Sequence, residues 1–372
     1  MEHTHRGLAP STRILLTVAA AVVALAGVHA ARGVFGPIAL GAVIVIIVLP
    51  LRAPLVRRGW PSWLANTVVI VAAYVILAIL LAMLVYAGIQ FGDLVAQHVD
   101  DLRRAATDLT DRLTDLGLQA STADDAARWL DPSKLLSIGT KISGTAVSVA
   151  GAFFFVLAYV IFMAADAARY SHARGLFGAT RGPVIDRATA FNDGVRRYFV
   201  VNASFGAVVA IVDGLALWLL DIPAPAVWAI LAFVTNFIPN IGFVLGLVPP
   251  AVLALVVGGW PLALAVVAIY CVVNVVLQVL VQPKFVADTV NLSLTLSFAS
   301  VVFWTFVIGP LGAILAIPLT LLLRTLVLEP DPGAGWLRWL SGDPGARDPG
   351  PAPEAEPVSA SGRDPEPAQD AG

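Results

Sequence analysis

Residues 235–242 read Thr-Asn-Phe-Ile-Pro-Asn-Ile-Gly, set in the middle of the apolar run 226–257. The amides of Asn236 and Asn240 carry the donors and acceptors that a small polyhydroxylated solute needs. Pro239 lacks a backbone donor and clashes with the preceding turn, and Gly242 weakens a helix further. In hydrocarbon such a break survives only where protein or a wet cavity covers it. A broken apolar helix with amides therefore suits a transport pathway. A plain proline kink in a packed helix is the alternative. Asp213 is the one carboxylate well inside a predicted span. An acid there is costly, which makes it a candidate for carrying a proton or a cation. The alternatives are a wall position in a wet cavity, or a pairing with an amide such as Asn202. Asn274, Gln278 and Gln282 recur every four residues and lie on one helix face. Asn274 joins the candidate pathway; Gln278 reads as glue between helices.

Other chemistry is poorly served. No Gly-x-x-x-x-Gly-Lys-Ser/Thr loop is present, so the chain carries no ATP-driven motor of its own. His3, His5, His29, His98 and His172 form no metal-spaced pair in a span, and no Ser/His or paired-Asp arrangement lies in the membrane. The reading is of no catalytic residue, no metal and no cofactor. The single cysteine, Cys271, excludes an internal disulfide. A net charge of −2 gives no case for nucleic acid.

These residues must be held by membrane helices. Hydrophobic residues make up 58% of the 372 and charged ones 13%, with mean hydropathy +0.85, a polytopic membrane composition. Residues 1–90 hold spans at 14–31, 34–50 and 63–90; the first is read as a span and not as a cleaved signal peptide. Arg52, Arg57 and Arg58 crowd the short loop between the second and third spans. Residues 91–140 are acidic, with one apolar stripe through Phe91, Val95, His98, Leu102, Ala105, Leu109, Leu113 and Leu116. That segment reads as extramembrane helix, packed on its own protomer, lying on the membrane surface, or forming an inter-subunit crown. The core, 141–328, has spans at 141–165, 198–220 and 262–282, with a basic loop at 166–197. The basic loops mark the cytoplasmic side, and the acidic segment falls opposite. The stretch 291–328 is too long for one straight crossing and is broken at Gly309, Pro310 and Gly312. The runs after Gly242 and Gly312 look alike, as in a degenerate repeat. Reading 226–257 as a re-entrant hairpin puts the N-terminus, Lys284, Arg324 and the tail on the cytoplasmic side. The tail, 329–372, is rich in Pro, Gly and acids and reads as disordered. The fold class expected is all-α, with about eight membrane segments counting the broken ones.

The chain resembles the autoinducer-2 exporter family, the PerM-like permeases. The resemblance rests on Leu231-Ala232-Phe233 through Asn236 to Gly242, with Pro249-Pro250; on Gln282-Pro283-Lys284; and on Phe303-Trp304 leading to Gly309-Pro310-Leu311-Gly312 and Ile317-Pro318-Leu319. The loop from Leu51 to Pro61 fits too, and coverage runs over residues 10–328. The resemblance implies an oligomeric protein of the bacterial cytoplasmic membrane that exports autoinducer-2 or another small polar solute, passively or coupled to protons or sodium. Sodium/proton exchange occurs among such relatives, and a non-transporting scaffold is a further alternative. Asp213, and Asp221 in place of a usual glycine, depart from the family pattern. The predicted pathway comprises Asn236, Pro239, Asn240, Gly242, Asn274, Gly309, Pro310 and Gly312, with Asp213 for ion coupling.

Overall fold

The computed structural model describes residues 9–115, 132–239, 241–282 and 292–343. Helices account for nearly all of them, and among the described residues there is no strand. The order is α1 Pro10–Ala30, α2 Arg32–Val48, α3 Arg52–Arg57, α4 Ser62–Gln97, α5 Val99–Asp115, α6 Pro132–Leu219, α7 Pro225–Thr235, α8 Gly242–Asn274 with a π-helical turn Val275–Val281, α9 Leu294–Ile308, α10 Pro310–Val327 and α11 Gly335–Leu340. Among the described residues, five helices are long and apolar enough to cross a membrane. The protein is an all-α polytopic membrane protein.

Two of the longest helices double back. Arg174 Nη2 and Asp186 Oδ1 of α6 lie 2.9 Å apart. Twelve residues of straight helix would separate them by about 18 Å. The fold-back is at Arg181, whose φ of −127° is non-helical, with Pro183 opening the second arm. The predicted basic loop 166–197 is thus a helical hairpin, continuous with the spans on either side. In α8 the break is Gly259, at φ 69° and ψ −167°, followed by Pro261. Gly246 and Tyr270 line one cavity, though a straight helix would hold them about 36 Å apart. The two arms therefore lie side by side. Gly309, at φ 80° and ψ −158°, turns α9 into α10 in the same way, with Pro310 next. Only glycine holds that backbone region without strain, and proline suits the first helical turn that follows.

Contacts fix which ends share a face. Gly36 of α2 abuts Leu311 of α10, and Gly41 abuts Val156 and Tyr159 of α6. Val43 shares a core with Leu315, Ile317 and Leu319, while Val45 and Val48 share another with Val156 and Val160. So α2, the first arm of α6 and α10 all run the same way. Their far ends bring Arg52–Arg58, the α6 tip and Arg324 to one face. In α4 the chain returns: Val69 and Ala73 join the Val48 core, and Leu94 packs with Leu217, Ile222 and Trp228. The acidic α5 lies on that opposite face, packed against α8 of its own chain. At 36 residues, about 54 Å, α4 outreaches the ~30 Å hydrocarbon layer, so it takes in the residues from 91 on that pattern alone assigns to the acidic segment.

The tail departs from expectation at its start. Residues 332–340 are helical and held to the protein, because Arg324 gives Asp343 a buried partner. The remainder of the tail, 344–372, and residues 116–131 of the acidic segment lie outside the described residues, as do Pro283 and Lys284.

Candidate functional site

The broken stretch folds into α7, a turn, and the first arm of α8. At 11 residues α7 is about 16 Å long, half the hydrocarbon thickness. It starts from a corner at Asp221 and Ala224, both at positive φ, which Trp228 Nε1 braces by donating to Pro223 O at 2.9 Å. The turn at Asn236–Ile241 sends the chain back along α7. Gly242 makes this possible: a Cβ there would sit 1.9 Å from Thr235 O. At the second apex a Cβ on Gly312 would likewise sit 1.9 Å from Trp304 O. Each glycine presses on a carbonyl near the end of the preceding helix, so the two look-alike runs serve one geometric purpose. The α9–α10 hairpin is then zipped by Trp304 Nε1 donating to Thr320 Oγ1 and by Thr320 Oγ1 donating to Ser300 Oγ, both at 2.9 Å.

Phe237, Ile238 and Ile241 of the turn pack on the core of that second hairpin. The amide of Asn236 points the other way, over Gly206, where a side chain would collide with it. Its Nδ2 donates to Asn202 O at 2.8 Å, and its Oδ1 accepts from Gln278 Nε2 at 2.8 Å. Asn202 Nδ2 donates to Tyr198 O at 2.8 Å, and its Oδ1 accepts from Gln282 Nε2 at 3.4 Å. Asn202 is therefore occupied by this ladder and not by Asp213. The π-helical turn Val275–Val281 carries Gln278 into it; such turns shift side-chain register within a helix.

Beside the ladder is a cavity of about 20 Å³ lined by Asp213, Thr235, Asn236, Gly242, Tyr270 and Asn274, among others. That volume admits a water molecule or a bare ion and excludes an organic solute. Asp213 and Tyr270 are each 2% exposed. Asp213 Oδ1, Tyr270 Oη and Asn274 Oδ1 are buried with no hydrogen-bond partner. Thr235, also in the lining, donates its Oγ1 to Leu231 O at 2.8 Å. Buried polar atoms are nearly always satisfied, so three orphans on one small cavity call for a guest. Oxygen donors around a carboxylate suit a hard cation or a protonated water. Among the described residues no three His, Cys, Asp or Glu side chains gather as a metal site.

Of the residues predicted from sequence, the cavity gathers Asp213, Asn236, Gly242 and Asn274. Gly309, Pro310 and Gly312 form the other apex and Pro239 the turn itself, away from the cavity lining; Asn240 lies outside the described residues. Tyr270 and Thr235 escape the sequence reading. Tyr270 was within reach of it, since 270, 274, 278 and 282 continue one four-residue stripe.

Helical hairpins with a polar cavity at a broken helix are an arrangement that polytopic membrane transporters use. Over residues 18–329 the chain matches the AI-2E family transporter family, and it belongs to that family. It is 28% identical over 324 residues to the AI-2 transport protein TqsA of Escherichia coli (strain K12), covering 86% of this chain and 93% of that one. YhhT of the same strain is 28% identical over 310 residues, covering 82% and 88% respectively. A protein of Haemophilus influenzae is 26% identical over 336 residues, covering 89% and 96%.

Proposed function

We propose that the protein moves a small polar solute across the bacterial cytoplasmic membrane, without an ATPase or catalytic step of its own, and couples that movement to a cation at Asp213. The cavity with its three orphaned oxygens carries this reading. Solute of the kind named for the AI-2 relative passes along the amide-bearing break of α7 and α8 and the second apex at Gly309–Gly312. The basic face, with Arg52–Arg58 and the α6 tip, is cytoplasmic by the positive-inside rule, and Arg324 and the tail go with it.

A cavity sized for an ion also favours a second reading, sodium/proton exchange without an organic cargo. Reconstituted protein separates the two. Uptake of an AI-2-type solute that rises with an imposed sodium or proton gradient supports the coupled transporter. Proton flux driven by sodium, with no solute uptake, supports the exchanger. In either case Asp213→Asn abolishes the dependence on the ion. Equal flux at every pH and sodium concentration in both proteins removes Asp213 from the mechanism, and no flux of any kind leaves a membrane scaffold.

A further inference from the structure

Past its last membrane helix the chain folds back on the protein. Ser293 N, at the N-cap of α9, donates to Ser341 O at 2.9 Å. Gly342, at φ 109°, lies so close to Leu292 and Ser293 that a Cβ would come within 2.5 Å of Ser293 N. Asp343 is buried and accepts from Arg324 Nη2 at 2.9 Å and from Arg338 Nη2 at 3.0 Å. Asp343 thus joins the end of α10 to α11, and Ser341 joins α11 to the start of α9. The segment clasps both feet of the α9–α10 hairpin on the basic face.

The clasp leaves Trp336, Trp339 and Leu340 59–66% exposed, with Leu337 partly so. An apolar face of two tryptophans and two leucines needs a cover. Its place identifies one. The last turns of α10 leave Leu322, Leu323, Leu326 and Val327 exposed, the surface of a membrane-crossing helix. Trp336 follows nine residues after Val327, and the Arg324–Asp343–Arg338 link holds α11 at the end of α10, where that helix leaves the hydrocarbon. Tryptophan, with an apolar ring and a polar N–H, partitions to that level. Charge is not the attraction, because Arg324 and Arg338 both engage Asp343, while Glu329 and Asp331 leave the segment acidic. We propose that α11 is a lipid-docking foot: Trp336, Leu337, Trp339 and Leu340 enter the headgroup layer beside α10, and Asp343 holds them there.

The test uses the full chain in vesicles. Single cysteines replace Trp336, Trp339 or the exposed Asp331 in a Cys271→Ser background, each bearing an environment-sensitive fluorophore. Each labelled protein is compared with the Cys271→Ser parent by its melting midpoint, and only those that match it are read. Labels at 336 and 339 are expected to be quenched by spin-labelled lipid, and several-fold less by aqueous iodide than the label at 331. The result should be the same in zwitterionic and in anionic vesicles. Iodide quenching at 336 and 339 equal to that at 331 overturns the proposal. Protection from both quenchers also overturns it, since another protein surface would then be the cover. Adding Asp343→Asn is expected to return iodide quenching at 339 to the level at 331; no change refutes the holding role of Asp343.

Discussion

Tyr270→Phe should have opposite effects on stability in the two ionic conditions. The Tyr270 hydroxyl is buried and has no partner, and it faces a cavity lined by Asp213 and Asn274. A buried polar group left unsatisfied costs about 1–3 kcal/mol. In a buffer whose only cation is too large to enter, such as choline, removing the hydroxyl should therefore stabilise the fold by about that amount. With a fitting cation the order reverses. A site filled at a hundred times its dissociation constant adds about 2.7 kcal/mol to the wild type. The variant, lacking one ligand, gains less. The assay is built in. Cys271, next to Tyr270, is the only cysteine and is partly buried. A thiol-reactive dye thus reports thermal opening of the second arm of α8. The expected outcome is a variant that opens at higher temperature than wild type in choline, and at lower temperature once sodium is present. A variant less stable than wild type in both buffers would show that the hydroxyl already has a partner, a protein group or a resident water, and the argument for a cation would fall.

Three further outcomes follow from the hairpins. Gly242→Ala and Gly312→Ala place a Cβ against a backbone carbonyl that no rotamer change can relieve. Each should cost about 3 kcal/mol or more, the top of the overpacking range. Gly92→Ala, in open space within α4, should be neutral or stabilise by up to about 1 kcal/mol; comparing unfolding midpoints of the three checks both claims. Asn236→Leu removes both ends of the amide ladder and orphans Gln278 Nε2. Destabilisation of about 1–3 kcal/mol is expected, with rescue by Asn236→Leu combined with Gln278→Leu, read by the same melting assay. Asp343→Asn leaves the buried Arg324 with a weakened partner and should cost up to about 3–5 kcal/mol, measured as loss of stability in detergent.

Much of this architecture was legible from charge and hydropathy. The all-α membrane class and the two breaks at Asn236–Gly242 and Gly309–Gly312 follow from residue type alone. What escaped was long-range. Nothing local says that Arg174 meets Asp186, so the α6 tip reads as a loop. Nothing local says that Asp343 finds Arg324, so an acidic Pro-rich stretch reads as wholly disordered. Tyr270 sits in an apolar run and passes for a core or interfacial aromatic until Asp213 is seen beside the same cavity. The amide reading was limited in the same way. Sequence gives the donors and acceptors of Asn236, but only the fold shows that Asn202 and Gln278 already engage them.

The opposed charged faces have an electrical consequence for whatever crosses between them. The Arg-rich tip of α6 with Arg52–Arg58 lies at one face, and the aspartates of α5 at the other. The protein therefore carries a fixed potential difference along its own axis, independent of the membrane voltage. Charges so placed draw cations toward the acidic face and repel them from the basic one. The bias fades as salt rises and the Debye length falls from about 30 Å at 0.01 M to about 10 Å at 0.1 M.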